Sequence, residues 1–181
     1  MSREDYENSG LPIRHKNFKP VNDNKHTEWS KVYEKIKGLI ENGSIFAILG
    51  TRGSGKTQIG ASLIGHVALN LDRSVMYRKA FDVFLRIREA MKMPGDSEQN
   101  AVKEFIKKYF LVIDAYEVRS ESQFENRTID HIIDCRYDAV RPTLIISNDK
   151  PEGFEKSIGP SISDRIAETG GIIEMNWKSF R

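Results

Sequence analysis

The chain has 181 residues, 30% of them charged and 39% hydrophobic, with a formal net charge of +2. That length holds one buried core, and the balance excludes a disordered or membrane-embedded chain; no apolar run is long enough for a span. Met1 to Gly10 is polar and acidic rather than leader-like, Cys135 has no internal disulfide partner, and His15, His26, His66 and His131 lack metal-ligand spacing, so a reducing, cytoplasmic setting without zinc is expected.

Residues 1–10 and 93–97 read as flexible, with residues 11–181 forming the folded domain. Thr27 is placed to cap a helix whose apolar residues Trp29, Val32, Ile36, Leu39 and Ile40 recur at helical spacing, and Gly43 to end it. Five short apolar or β-branched runs follow, Ser44–Leu49, Ser74–Tyr77, Tyr109–Ile113, Thr143–Ser147 and Gly171–Met175, with room for a crossover helix between each pair. This alternation predicts an α/β fold with a mainly parallel five-stranded sheet flanked by helices in three layers. Over 124–140, the pattern directs Phe124, Thr128, Ile132 and Cys135 towards the sheet and Asp130, Asp134 and Arg136 towards solvent.

The most specific signal is Gly50-Thr51-Arg52-Gly53-Ser54-Gly55-Lys56-Thr57, which matches G-x-x-x-x-G-K-[ST] directly after the apolar run Ile45–Leu49, with Gln58 following. In this P-loop the glycines let backbone N–H groups converge on phosphate oxygens. Lys56 neutralises the β/γ-phosphates, and the Thr57 hydroxyl reaches Mg²⁺. ATP with Mg²⁺ is the expected ligand.

A P-loop requires an acidic partner at a buried strand end, and Asp114, after Phe110–Ile113, supplies it for the metal shell. An aspartate there also suits an ordinary helix cap, a reading that the upstream P-loop outweighs. Asn148 ends the next apolar run, where adjacent strand ends bring it towards the γ-phosphate and the attacking water; the plainer reading is a turn asparagine.

From these residues the chain resembles the helicase-loader ATPases of the DnaC type and their transposition-helper relatives of the IstB type, within the AAA+ class of P-loop NTPases. The resemblance runs from about Gly10 to Arg181. Its most specific stretches are Ile133–Asn148 and the ending from Asp164-Arg165-Ile166 through Gly170-Gly171 to Asn176-Trp177. Gly10 to Phe18 looks like the segment that lies near the adenine in such ATPases.

The resemblance implies an AAA+ core with the Asp114 strand beside the strand ending at Asn148, making Asn148 sensor 1. It also implies that Arg165 is an arginine finger reaching a neighbouring subunit's site, which makes the working ATPase a homo-oligomer. Without the family, Arg165 reads as a surface arginine paired with Asp164 or Glu168.

Two departures stand out. Ala115 occupies the place after Asp114 where such ATPases usually carry the glutamate that polarises water, and a methyl group accepts no proton. Glu117, named here with the catalytic set, and Glu121 are the nearest substitutes. Second, only about ten residues precede the matching region, where bacterial loaders carry a helicase-gripping domain. No lid domain follows the last strand, as in the loader group.

Arg14–Lys37 and Arg73–Lys92 carry an excess of basic residues. The family's DNA-facing insertion lies between the second strand and the strand carrying Asp114, which assigns Arg78, Lys79, Arg86, Arg88 and Lys92 to single-stranded DNA. Phe81, Phe84, Leu85 and Ile87 among them read mostly as the core face of an amphipathic helix. The expected function is an ATP-dependent DNA replication protein like a DnaC-type loader of the replicative helicase. The alternatives are an IstB-type transposition helper, or a nucleotide-gated DNA-binding switch with little hydrolysis.

Overall fold

The chain is described by a computed structural model over residues 2–16 and 27–177; Phe18 and the last four residues lie outside the described set. Five strands, β1 (Ile45–Gly50), β2 (Val75–Lys79), β3 (Phe110–Asp114), β4 (Thr143–Ser147) and β5 (Ile172–Met175), form one sheet in the order β2-β3-β4-β1-β5. Every neighbouring pair is parallel. The strands are nearly continuous apolar runs because helices cover both faces.

Strand alternation sorts the core. Phe46, Ile48, Phe110, Val112, Leu144 and Ile146 face α3 (Thr27–Glu41) and α4 (Lys56–Gly65), meeting Trp29, Ile36, Ile40, Ile59 and Leu63. The intervening Ala47, Leu111, Ile113 and Ile145 face the other layer, formed by α5 (Ala80–Ala90), α6 (Glu98–Lys107), α7 (Gln123–Asp138), α8 (Pro151–Ile158) and α9 (Pro160–Thr169). The arrangement is the three-layer α/β sheet expected, with strand limits displaced by at most two residues.

The start of the chain, expected to be flexible, is helical in α1 (Ser2–Glu7) and α2 (Ile13–Lys16). Asp5 pairs with Lys108 at 3.1 Å, the Tyr6 hydroxyl donates to Lys16 O at 2.9 Å, and Ser9 and Leu11 are buried. In 93–97, Asp96 pairs with Arg86 at 2.9 Å and Ser97 caps α6 by accepting from Asn100 N at 3.2 Å. Thr27 opens α3, and its side chain is not described.

Two expectations about helix faces need correction. Arg136 is fully buried rather than solvent-facing: it donates to Thr143 Oγ1 (2.7 Å) and to the carbonyls of Phe105 and Lys108 (both 2.8 Å), Ile106 (3.2 Å), Tyr109 (3.1 Å) and Pro142 (2.7 Å). Carbonyls at the end of α6 and just before β3 and β4 need donors, and one guanidinium supplies several in a fixed plane. Burial pushes its pKa down to about 9, so it stays charged at neutral pH. Ile129 and Ile133 accordingly take the core face of α7, while Cys135 is only half-buried. On α5, Phe84 and Ile87 are buried as expected, but Phe81 is 53% exposed and Leu85 41%. The buried stripe Ala80, Val83, Phe84, Ile87 and Ala90 already fills that helix's contact with the sheet.

Candidate nucleotide-binding site

β1 lies between β4 and β5 although the chain reaches β2 next, so the sheet order reverses beside it and the carboxyl ends of β1, β3 and β4 border one crevice. The P-loop leaves β1 there. Gly55, immediately before α4, has φ +93° and ψ +10°, a left-handed conformation that side chains resist. It aims the first N–H groups of a ten-residue helix at the crevice. Gly60 then brings α4 close to the sheet, where an added Cβ would sit 3.1 Å from Ile146 Cδ1 and 3.3 Å from Val112 Cγ1.

Lys56 is 6% exposed and folds back on the loop, donating to Gly50 O at 2.7 Å and Thr51 O at 2.8 Å. Burial lowers its pKa, opposed by the charges of Asp114 and Glu117. Thr57 follows on the first turn of α4, and its hydroxyl donates to Asp114 Oδ2 at 2.8 Å. Asp114 Oδ1 accepts the backbone N–H of Ala115 at 2.7 Å. Tyr77, on β2, donates its hydroxyl to Asp114 Oδ2 as well. Its burial, together with the charge and hydrogen bond of Asp114, pushes the phenol well above the usual tyrosine range. Thr51 and Arg52 are exposed, Ser54 is buried, and Gly50, Gly53 and Gln58 lie between.

The hydroxyl and carboxylate pair is the hard-oxygen set that suits Mg²⁺ when phosphates and waters complete the shell. Among the described residues no cluster of three metal-ligating side chains competes with it.

Across β3, Glu117 reaches the end of β4: its Oε2 accepts from Asn148 N at 3.1 Å and Ser147 Oγ at 3.2 Å, and its Oε1 accepts from the Asn148 side-chain amide. Glu121, the other proposed substitute, is turned away and accepts from the Ser157 hydroxyl on α8. Ala115 itself is left-handed at φ +53°, so the chain turns sharply after Asp114. Arg119 holds the segment that follows, donating to Asn126 at 2.5 Å and to the carbonyl of Ser157.

Sequence reasoning missed three contacts around the loop. Tyr77 looks like any strand tyrosine. His15 Nδ1 lies 2.8 Å from Gln58 Oε1, tying α2 to α4, and Trp177 Nε1 donates to Ser54 O at 3.0 Å from beyond β5. Trp177 belongs to a stretch that carries the family resemblance, and that stretch says nothing of this contact.

A family profile described as IstB-like ATP binding protein matches residues 14–181, across the P-loop, Asp114 and Asn148. The chain belongs to this family. Among curated relatives, this IstB-like chain is 27% identical over 153 residues to the replicative helicase loader DnaC of Escherichia coli K12. The match covers 84% of the chain and 62% of that relative, so the chain spans less than two thirds of its length. Among solved structures, the DnaC helicase loader superposes with TM-score 0.68 at 17% identity, covering 93% of this chain and 97% of that one. The replication initiator DnaA bound to AMPPCP and single-stranded DNA superposes with TM-score 0.71 at 19% identity, covering 93% and 52%. The fold is therefore that of the AAA+ P-loop NTPases, and the family is one of ATP-binding proteins.

The remaining predicted residues of this IstB-like chain lie away from the crevice's base. Arg165, on α9, pairs with Asp134 of α7 at 2.9 Å, donates to Ser161 O at 3.0 Å and stacks over the Tyr137 ring at 5.1 Å. Its partners are thus neither Asp164 nor Glu168; Glu168 accepts the Tyr137 hydroxyl instead, at 2.7 Å. Arg78 donates to Ser9 O at 3.1 Å, Arg86 pairs with Asp96 and Glu104, and Arg88 pairs with Glu125 at 3.2 Å. Lys79 and Lys92 are exposed. No helix among the described residues is long and apolar enough to cross a membrane.

Proposed function

We propose that residues 11–181 are a Mg²⁺-dependent ATPase domain of DNA replication that acts with single-stranded DNA and a replicative helicase, in the manner of a DnaC-type loader, in the cytoplasm. The observation that carries this reading is the convergence of Lys56, Thr57 and Asp114 at one strand end, with Glu117 and Asn148 at the next. In it, P-loop N–H groups and Lys56 bind the phosphates, while Thr57 and Asp114 hold the cation. The cation would draw charge from the phosphates as the terminal bond breaks. Glu117 takes the water's proton in place of the glutamate that Ala115 replaces, and Asn148 orients that water. Arg165 serves a neighbouring copy after leaving Asp134, and the exposed Lys79, Phe81 and Lys92 meet the DNA with Arg78, Arg86 and Arg88 at its margin.

Steady-state ATP hydrolysis with and without single-stranded DNA, beside Asp114→Asn, tests the reading. Turnover that rises with DNA and vanishes in the variant is the expected result; DNA-independent or absent turnover contradicts it. A second reading, a nucleotide-gated DNA-binding switch, is favoured by Ala115 and by the hydrogen bonds that already occupy both Glu117 oxygens. It predicts ATP binding without turnover. The IstB-like profile favours a transposition helper as a third, separated by whether transposase or helicase co-purifies with the chain.

A further inference from the structure

Asp114 has three donors, and they are not equivalent. Oδ2 takes the hydroxyls of Thr57 and Tyr77, and Oδ1 takes the N–H of Ala115. On the magnesium reading, on which this inference rests, the Thr57 oxygen would offer a lone pair to the cation while its proton stays on Asp114 Oδ2.

We propose that Tyr77 is a positioning residue of the nucleotide site, holding the Asp114 carboxylate in the orientation from which it would serve the cation. β2 and β3 run parallel with Tyr77 opposite Val112, so Tyr77 and Asp114 lie on one face, two residues apart along the strands. That face carries α4 and the P-loop. Tyr77 is 2% exposed and its ring packs with the α4-facing core, so its hydroxyl is delivered to a fixed point. The Ala115 N–H is fixed too, because it belongs to the same turn of chain. With Tyr77 on Oδ2 and the Ala115 N–H on Oδ1, each carboxylate oxygen has one rigid donor, and together they oppose rotation of the group.

Partners that orient a ligating carboxylate in this way are worth about 10- to 100-fold in metal affinity. A tyrosine that only satisfies a buried hydroxyl would show a different signature: its loss would lower stability, or weaken nucleotide binding equally at every cation concentration.

The test uses the full chain as wild type, Tyr77→Phe and Asp114→Asn, with a fluorescent ATP analogue titrated in EDTA and across a Mg²⁺ series. Tyr77→Phe keeps the ring and its packing. The expected result is unchanged affinity in EDTA and a half-saturating Mg²⁺ concentration about tenfold higher. Asp114→Asn is expected to shift it at least as far. A Tyr77→Phe curve that overlays wild type while Asp114→Asn is displaced overturns the role of Tyr77 and leaves the metal site standing. Equal weakening in EDTA and Mg²⁺ assigns Tyr77 to packing and overturns it also. An undisplaced Asp114→Asn curve removes the metal reading and Tyr77 with it.

Discussion

Lys56 already occupies the floor of the P-loop, its ammonium held by two loop carbonyls, so incoming phosphate oxygens exchange for acceptors already in place. Charge-assisted hydrogen bonds contribute roughly 1.5–3 kcal/mol each, so Lys56→Ala should weaken ATP binding by about 100-fold, measurable with a fluorescent analogue. Glu117→Gln keeps the shape of the contact with Asn148 and removes the base; nucleotide affinity should hold while turnover falls by about 10² or more. At this scale the sequence was informative wherever a motif fixes spacing: Gly50 to Thr57 run from the end of β1 into α4, and Asp114 ends β3 within reach of Thr57. It put Glu117 rather than Glu121 in the catalytic set without a physical ground for the preference. That choice depends on the left-handed turn at Ala115 and on the Arg119 anchor, neither of which periodicity encodes.

Strands and helices were readable because burial on two faces leaves continuous apolar runs, and the five runs match the five strands within two residues. The faces of α5 and α7 were less so. A pattern that sends charge to solvent fails where a charge closes off backbone groups, as Arg136 does between α6, β3 and β4. Arg136→Ala would leave buried carbonyls without donors and should destabilise the chain by about 3–5 kcal/mol in urea unfolding. Arg136→Lys should recover little of this, because an ammonium cannot span the same acceptors.

Taken whole, the molecule presents Arg165 on α9 bound to its own α7. If the ATPase works as an assembly, Arg165→Ala should bind ATP normally and lose the part of turnover that rises with protein concentration. Stability should also depend on mild acid. His66 is partly buried, and desolvation, aided by Lys37, depresses its pKa below the ordinary 6.5, so near that value the unfolded chain binds more protons than the folded one. Stability should fall as pH drops from 6.5 through the depressed folded value, with a shallower slope in His66→Gln, measured by urea midpoints between pH 5.5 and 7.5.

The backbone N–H of Tyr77 donates to Ser9 O at 2.7 Å, and Gly10, at φ +83°, passes so close that an added Cβ would meet Tyr77 O at 2.6 Å. β2 is an outer strand, so this contact closes part of an edge that could otherwise recruit a strand from another molecule. The first residues therefore act as a selvedge on the sheet. Trimming them, or replacing Gly10 with a branched residue, would turn a closed sheet edge into a seam for aggregation.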